Sequence, residues 1–221
     1  MTLRIVNCIK HKYFFSFLTF SIVFMVLKVV EKYELTDSVR ILFNGINVRK
    51  SLLIAVFVLF TLLIQYVNVD AVRLFLREDI YVLIRYKSKK TVFLKLQAII
   101  LLVDFLLVVT VAPAILSSYG INAFRGLNVA ELMGVLIGGF LLSVIYSLLF
   151  VVLTVKCSET RAFVGMIAMA LLSIGYSRIG IAEISFFPNR DAFNSKWICF
   201  LIILILYFVS WKLINKKEEI K

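Results

Sequence analysis

Residues Ser51 to Leu96 read SLLIAVFVLFTLLIQYVNVDAVRLFLREDIYVLIRYKSKKTVFLKL, an apolar run followed by a strongly charged passage. A helix needs about 20 residues to cross a bilayer, at a rise of about 1.5 Å per residue. The apolar run from Ser51 to Val67 is close to that length. The charged passage, Asp70 to Leu96, holds seven Lys and Arg residues but only three Asp and Glu residues. Because cations beside apolar runs set which side of a membrane a connection occupies, this boundary organises the fold.

The composition of the whole chain points the same way. Of its 221 residues, 62% are hydrophobic and 17% are charged, and the mean hydropathy is +1.00. Soluble domains are about half apolar and about a quarter charged. Two Pro and nine Gly residues leave little room for long flexible linkers. We therefore predict an all-α integral membrane protein with a single polytopic domain, residues 1–221. The net charge of +12 is assigned to membrane orientation and not to a nucleic-acid partner.

Six apolar segments predict six transmembrane helices, at about 13–30, 51–67, 96–115, 132–155, 162–176 and 197–214. Both termini are predicted on the inner side, because most of the Lys and Arg residues then fall there. Lys28 is expected to extend from the first span to the interface. The fifth span is short, and Ile179 to Phe187 is expected to form a re-entrant or interfacial piece after it.

The fourth span contains Gly134 and Gly138, a GxxxG pair. Such a pair lets two helix backbones approach closely in lipid. It serves either packing within the chain or dimerisation, and packing is the commoner use of an isolated pair.

Catalytic motifs are missing from the sequence. A single histidine excludes the zinc motif HExxH, and neither a GxSxG elbow nor a GxxxxGK[ST] phosphate-binding loop is present. We therefore expect a protein that is not an enzyme and that has no cofactor of its own.

Asp104 is the one acidic residue within a predicted span. An ionised carboxylate at the bilayer centre costs about 2.5–3.5 kcal/mol on insertion scales, so Asp104 should face the bundle and have a partner. One interpretation is a proton or cation relay, or a polar point on a substrate path. The other is a packing contact with a hydroxyl or amide, and the lack of an intramembrane base favours it. The candidate partners are Gln97, Ser143, Tyr146 and Ser147.

The charged passage also has two interpretations. Val72, Leu76, Ile80 and Leu83 follow a helical spacing, which predicts an amphipathic helix from Val72 to Ile84. This helix either lies on anionic lipid or docks to a cytoplasmic partner. Its mixture of acidic and basic side chains suits docking, but the physical arguments favour the two interpretations almost equally. The residues that would dock are Arg73, Arg77, Glu78, Asp79, Arg85, Ser88, Lys89 and Lys90.

The segment Leu83 to Phe93, LIRYKSKKTVF, resembles the R-x-G-S-R/K-K stretch of small bacterial ABC-2-type transporter permeases. Arg85, Ser88, Lys89 and Lys90 match it, whereas Lys87 stands where those sequences often have glycine. The six-span architecture is similar to that family along the whole chain. The resemblance implies that the connection between spans 2 and 3 is a cytoplasmic coupling helix against a separate ATPase subunit. It also implies short re-entrant helices before the last span.

The expected function is that of a permease subunit of an ATP-binding-cassette exporter, multi-pass in the bacterial cytoplasmic (inner) membrane. Two permeases, as a homodimer or heterodimer, would pair with ATPase subunits that bind ATP and Mg²⁺. The substrate would be amphipathic or hydrophobic, with a peptide as the expected example, and a link to antimicrobial-peptide immunity follows from the resemblance. The alternative is an ATP-independent membrane protein, either an immunity factor or a small ion-coupled carrier that uses Asp104.

Overall fold

The computed structural model describes residues 2–30, 51–76, 89–120, 129–178 and 192–216, together with Lys32, Glu34, Leu35, Ser38, Val39 and Leu42. The secondary structure of these residues is helical, with no strand among them. The helices are α1 (Thr2–Val29), α2 (Ser51–Leu76), α3 (Lys89–Val109), α4 (Val111–Tyr119), α5 (Val129–Lys156), α6 (Glu159–Arg178) and α7 (Ala192–Lys216).

Three of the described segments are long and apolar enough to cross a membrane. They are His11–Val29 in α1, Phe93–Tyr119 in α3 and α4, and Leu132–Lys156 in α5. They coincide with the first, third and fourth predicted spans. The second and sixth predicted spans fall on the shorter apolar segments Val58–Asp70 and Cys199–Ile214. The chain thus has the helices of a membrane protein, while the count of six spans and the side of the termini stay predictions.

The helices extend beyond the predicted spans. α1 begins at Thr2, eleven residues before the predicted start at Tyr13, and α2 continues past Val67 to Leu76. Lys, Arg and Leu at these ends are good helix formers, so the helix does not stop where the apolar segment stops. Residues 72–76, predicted as the start of a separate docking helix, therefore continue α2. Residues 77–84 lie outside the described residues, as does the predicted re-entrant piece Ile179 to Phe187.

The third predicted span consists of two nearly continuous helices that meet at Thr110. Pro113 has no N–H to donate to the carbonyl of Val109, which removes one helical hydrogen bond at the junction. Thr110 donates its hydroxyl to the carbonyl of Leu107 at 2.6 Å. α4 ends at Gly120, whose φ of 75° lies in the left-handed region that glycine adopts without a Cβ clash.

α2 packs against four other helices of the described residues, α1, α3, α5 and α6. Its contacts with α1 run antiparallel: Phe20 packs on Phe60, Phe15 packs on Tyr66 and Lys12 pairs with Asp70. Large apolar side chains fill the interior between these helices, including Phe24 and Phe150 among others.

Apolar side chains also cover the outside of the bundle. On α1, exposed residues recur at a spacing of three or four, which places them on one face: Phe14, Leu18, Ile22, Met25 and Val29. α7 has a similar exposed face that includes Phe200, Leu204 and Phe208. Such continuous apolar faces suit the hydrocarbon of a bilayer and would be unusual in water.

Candidate functional site

Three helices of the bundle each contribute one polar side chain to a buried contact. Asn68 of α2 donates from Nδ2 to Oδ1 of Asp104 on α3 at 2.8 Å, and Ser147 of α5 donates from Oγ to the same oxygen at 3.0 Å. Nδ2 of Asn68 also lies 2.9 Å from the hydroxyl of Ser147, which closes a triangle. All three residues are buried, with at most 1% of their surface exposed. We call this group the Asp104 cluster.

The cluster lies deep within the apolar part of the bundle. Asp104 is about 17 Å from the Phe93 end and about 22 Å from the Tyr119 end of its apolar segment, at a rise of about 1.5 Å per residue. At this depth a carboxylate costs about 2.5–3.5 kcal/mol on insertion scales. The two donated hydrogen bonds offset part of that cost and at the same time join α2, α3 and α5.

Several other polar atoms near the cluster along the chain are buried without a hydrogen-bond partner among the described residues. They include Oδ2 of Asp104, Oδ1 of Asn68, both side-chain polar atoms of Gln65, and Nε2 of Gln97. Gln65 precedes Asn68 by about one helical turn, and Gln97 precedes Asp104 by about two turns. Because buried polar groups are nearly always paired, the oxygens among these atoms call for a hydrogen-bond donor and the amide nitrogens for an acceptor.

α1 brings Tyr13 to the same level of the bundle. The hydroxyl of Tyr13 donates to the backbone carbonyl of Val103 at 2.7 Å, next to Asp104 in the chain. Tyr13 lies close enough to Asp104 to interact with it electrostatically. The cluster is thus bordered by four helices.

The predicted packing contact of Asp104 is present in part. Ser147, one of the four candidate partners, donates to the carboxylate. Ser143 donates instead to the carbonyl of Phe140 in its own helix. Asn68 was missed by the sequence reasoning, although an asparagine one turn after Gln65 at the end of an apolar run is a signal that could have indicated it. What the sequence lacks is the rotation of α2 that turns Asn68 toward α3.

A second polar contact joins α1 to α2. The ammonium of Lys12 lies 2.7 Å from Oδ2 of Asp70 and donates to the backbone carbonyl of Tyr66 at 2.6 Å. It also lies 4.7 Å from the centre of the Tyr66 ring, within the range of a cation–π interaction. Three favourable contacts therefore hold this lysine, which is buried apart from 8% of its surface.

A third polar contact joins α2 to α6. Nε of Arg73 lies 2.9 Å from Oε1 and 3.0 Å from Oε2 of Glu159, and Nη2 donates to Oε1 at 2.5 Å. These hydrogen bonds raise the pKa of the Arg73 guanidinium above its ordinary value. Glu159 lies in the first turn of α6, where the helix dipole favours an acid. Arg73, predicted as a docking residue, is thus bonded within its own chain.

Two of the other predicted docking residues fall on the described part of α3. Lys90 is exposed in the first turn of α3, and Lys89 is the first residue of that helix. The remaining ones, Arg77, Glu78, Asp79, Arg85 and Ser88, lie outside the described residues. The docking surface stays a prediction.

In the described ranges no group of three or more His, Cys, Asp or Glu residues is placed to hold a metal ion. Comparison of the chain with protein-family models, with curated proteins and with solved structures finds no match in any of the three. The resemblance to ABC-2-type permeases therefore stays a prediction from the sequence.

Proposed function

We propose that the chain is a membrane-spanning permease subunit of an ATP-binding-cassette exporter, driven by a separate ATPase subunit. The observation that supports this most directly is the continuity of α2. This helix runs unbroken from Ser51 to Leu76, from its contacts with α1, α3, α5 and α6 into the charged passage. A force that an ATPase applied to that passage would therefore act on α2 without an intervening hinge in residues 51–76.

The polar contacts of α2 give such a force a route to the other helices. Within six residues, α2 carries Asn68, Asp70 and Arg73. They bond to Asp104 of α3, to Lys12 of α1 and to Glu159 of α6, respectively. Movement of α2 along or about its axis would have to break or shift all three contacts, so the helices around it would respond together.

The remaining parts of the proposal follow the same architecture. The chain would lie in the bacterial cytoplasmic membrane with both termini inside, as one of two permeases. ATP and Mg²⁺ would bind to the partner subunit. Because the helices offer mainly apolar side chains and a few hydroxyls, the substrate would be amphipathic or hydrophobic, with a cationic antimicrobial peptide as the first probe to try.

The test combines partner capture with transport. The chain is purified from its native membranes, and a co-purifying protein with a phosphate-binding loop is sought. Export of a labelled cationic peptide is then compared between the parent chain and the charge reversals Arg77→Glu, Arg85→Glu and Lys89→Glu. Lys212→Glu, an exposed position on α7, is the control. We expect the three reversals to lose both the ATPase and ATP-linked export, and the control to keep both. Reversals that leave both intact would exclude the docking role.

A second candidate function is favoured by the Asp104 cluster. An ATP-independent immunity factor or ion-coupled carrier would use an acidic residue at this depth, and Asp104 has one oxygen without a hydrogen-bond partner among the described residues. Peptide movement that follows the proton gradient, stops in Asp104→Asn and continues under ATP depletion would favour this function over the first.

A further inference from the structure

The two carboxylate oxygens of Asp104 have different surroundings. Oδ1 accepts hydrogen bonds from Asn68 and Ser147, whereas Oδ2 accepts none from the described residues, although the side chain is fully buried. An ionised carboxylate carries its charge on both oxygens and needs donors at both. A neutral carboxyl group differs, because its carbonyl oxygen accepts hydrogen bonds while its hydroxyl oxygen carries a proton. The surroundings of Asp104 resemble the second case.

No cation compensates for a charge on Asp104 in the part of the chain that the structure describes. On α1, Lys12 is the neighbour of Tyr13 in the chain, but its ammonium is paired with Asp70 of α2. The hydroxyl of Tyr13 donates its hydrogen bond to the carbonyl of Val103 and not to the carboxylate of Asp104. On α5, Tyr146 is the titratable neighbour of Ser147 in the chain.

Two tyrosines on the other helices that pack on α3 lie toward the ends of the Phe93–Tyr119 segment. Tyr207 of α7 packs against Phe93, eleven residues before Asp104 in the chain. Tyr119 of α4 lies fifteen residues after Asp104 and bonds to Ser38 at 2.6 Å. Neither group is placed to share a proton with Asp104 directly.

We propose that Asp104 is a proton-binding site, in which Oδ2 takes up one proton and the carboxylate becomes a neutral carboxyl group. The new hydroxyl can then donate to an acceptor that lacks a donor, either Oδ1 of Asn68 or a buried water. Proton binding removes the charge from the centre of the bundle, and proton release restores it. The proposal concerns the site under either candidate function, and it names the ion that the second candidate would use.

A metal cation fits the site less well than a proton. Hard cations such as Mg²⁺ and Ca²⁺ take six or more oxygen ligands. Three side-chain oxygens are buried without a partner among the described residues, on Gln65, Asn68 and Asp104, and two amide nitrogens are in the same condition. A proton needs a single oxygen to bind, so this mixed set of donors and acceptors suits a proton with water.

Infrared difference spectroscopy of the purified protein in lipid tests the proposal, and it needs neither a substrate nor an ATPase. At neutral pH we expect the C=O stretching band of a protonated carboxyl group in the parent chain. The band should be absent in Asp104→Asn and kept in Asp70→Asn, the matched control, whose acid lies on α2 and is ion-paired with Lys12. Ser147→Ala should shift the band, since it removes one donor to Oδ1.

Three results would overturn the proposal: a missing band in the parent chain, an unchanged band in Asp104→Asn, or a band that sodium chloride removes and choline chloride does not. The last result would assign the site to a metal cation. If Asp104→Asn does not fold, as judged by gel filtration, the band in Ser147→Ala decides. A shift supports the site, and an unmoved band excludes Asp104 as its source.

Discussion

Arg73 and Glu159 form an ion pair whose two side chains are unequally exposed to solvent. The arginine side chain is 53% exposed, whereas the glutamate side chain is 9% exposed. The buried partner is therefore the acid at the start of α6, and the arginine of α2 covers it from the solvent side. Because hydrogen bonds raise the pKa of the guanidinium, the arginine keeps its charge, and the pair its contribution, until the pH rises above the ordinary range of an arginine.

Arg73→Gln should destabilise the bundle, because it removes the guanidinium that bonds to the mostly buried carboxylate of Glu159. We expect a loss of about 1–2 kcal/mol, less than the 3–5 kcal/mol typical of a fully buried pair, since Arg73 is half exposed. Thermal unfolding in detergent measures the loss. The double variant Arg73→Gln/Glu159→Gln should recover part of it, and Lys212→Gln should be neutral. A loss in Arg73→Gln no larger than that in Lys212→Gln would show that the pair does not stabilise the fold.

Asn68→Ala should weaken the contact among α2, α3 and α5. It removes one of two donors to Oδ1 of Asp104, and hydrogen bonds between membrane helices contribute about 0.6 kcal/mol on average and up to about 1.7 kcal/mol. We expect a loss of about 1 kcal/mol in detergent unfolding. Thr19→Ala is the control, because its hydroxyl bonds only to the carbonyl of Phe15 in its own helix. A loss in the control as large as that in Asn68→Ala would contradict the interpretation.

Gly138→Ala should keep or raise the stability of the chain. A Cβ at Gly138 would meet no atom within 4 Å, so alanine adds helix propensity of about 1 kcal/mol without a clash. Gly165→Ala is the comparison, since its Cβ would lie 3.4 Å from Cδ1 of Leu153 and should gain less. Unfolding and gel filtration are both measured. A drop in stability at Gly138 together with a smaller particle would show that GxxxG joins two copies of the chain.

Lys28→Met should loosen the contact between α1 and α4. The ammonium of Lys28 donates to the carbonyl of Ser118 at 2.9 Å and lies 5.4 Å from the ring of Tyr119. The sequence predicted that Lys28 extends to the membrane interface, and the structure shows it in contact with α4. We expect a loss of about 0.5–1 kcal/mol, the worth of an exposed cation–π contact, and a smaller loss in Lys28→Arg. Unfolding in detergent decides, and equal stability of Lys28→Met and the parent would contradict the role.

The sequence predicted the ends of a helix well where an apolar segment ends abruptly, and poorly where it does not. The fourth predicted span, 132–155, lies within one residue of the apolar segment Leu132–Lys156, because strongly apolar residues end there at a lysine. The end of α2 was harder to place. Val72 and Leu76 continue a helical pattern through the charged passage, so the sequence shows no stop between the span and the connection.

The sequence was enough to predict the acid of the candidate site, but not the full set of its hydrogen-bond partners. Asp104 is conspicuous because it interrupts an apolar segment. Its bonding to Asn68 depends on how α2 and α3 are rotated about their axes, and a hydrophobic pattern that is apolar on nearly every side of a helix does not record that rotation. The pairing of Arg73 with Glu159 was missed for the same reason, since the two residues are 86 positions apart.

The junction at Thr110 divides the third span into two parts with different neighbours. Below it, α3 carries Asp104 and bonds to α2 and α5. Above it, α4 is fastened to α1 by Ser118, which bonds to the carbonyl of Ser21 at 3.0 Å. Because Pro113 leaves the junction one hydrogen bond short, the segment resists bending less there than within α3 or α4. The weakest point of the longest described apolar segment thus lies between the buried acid and the contact with α1.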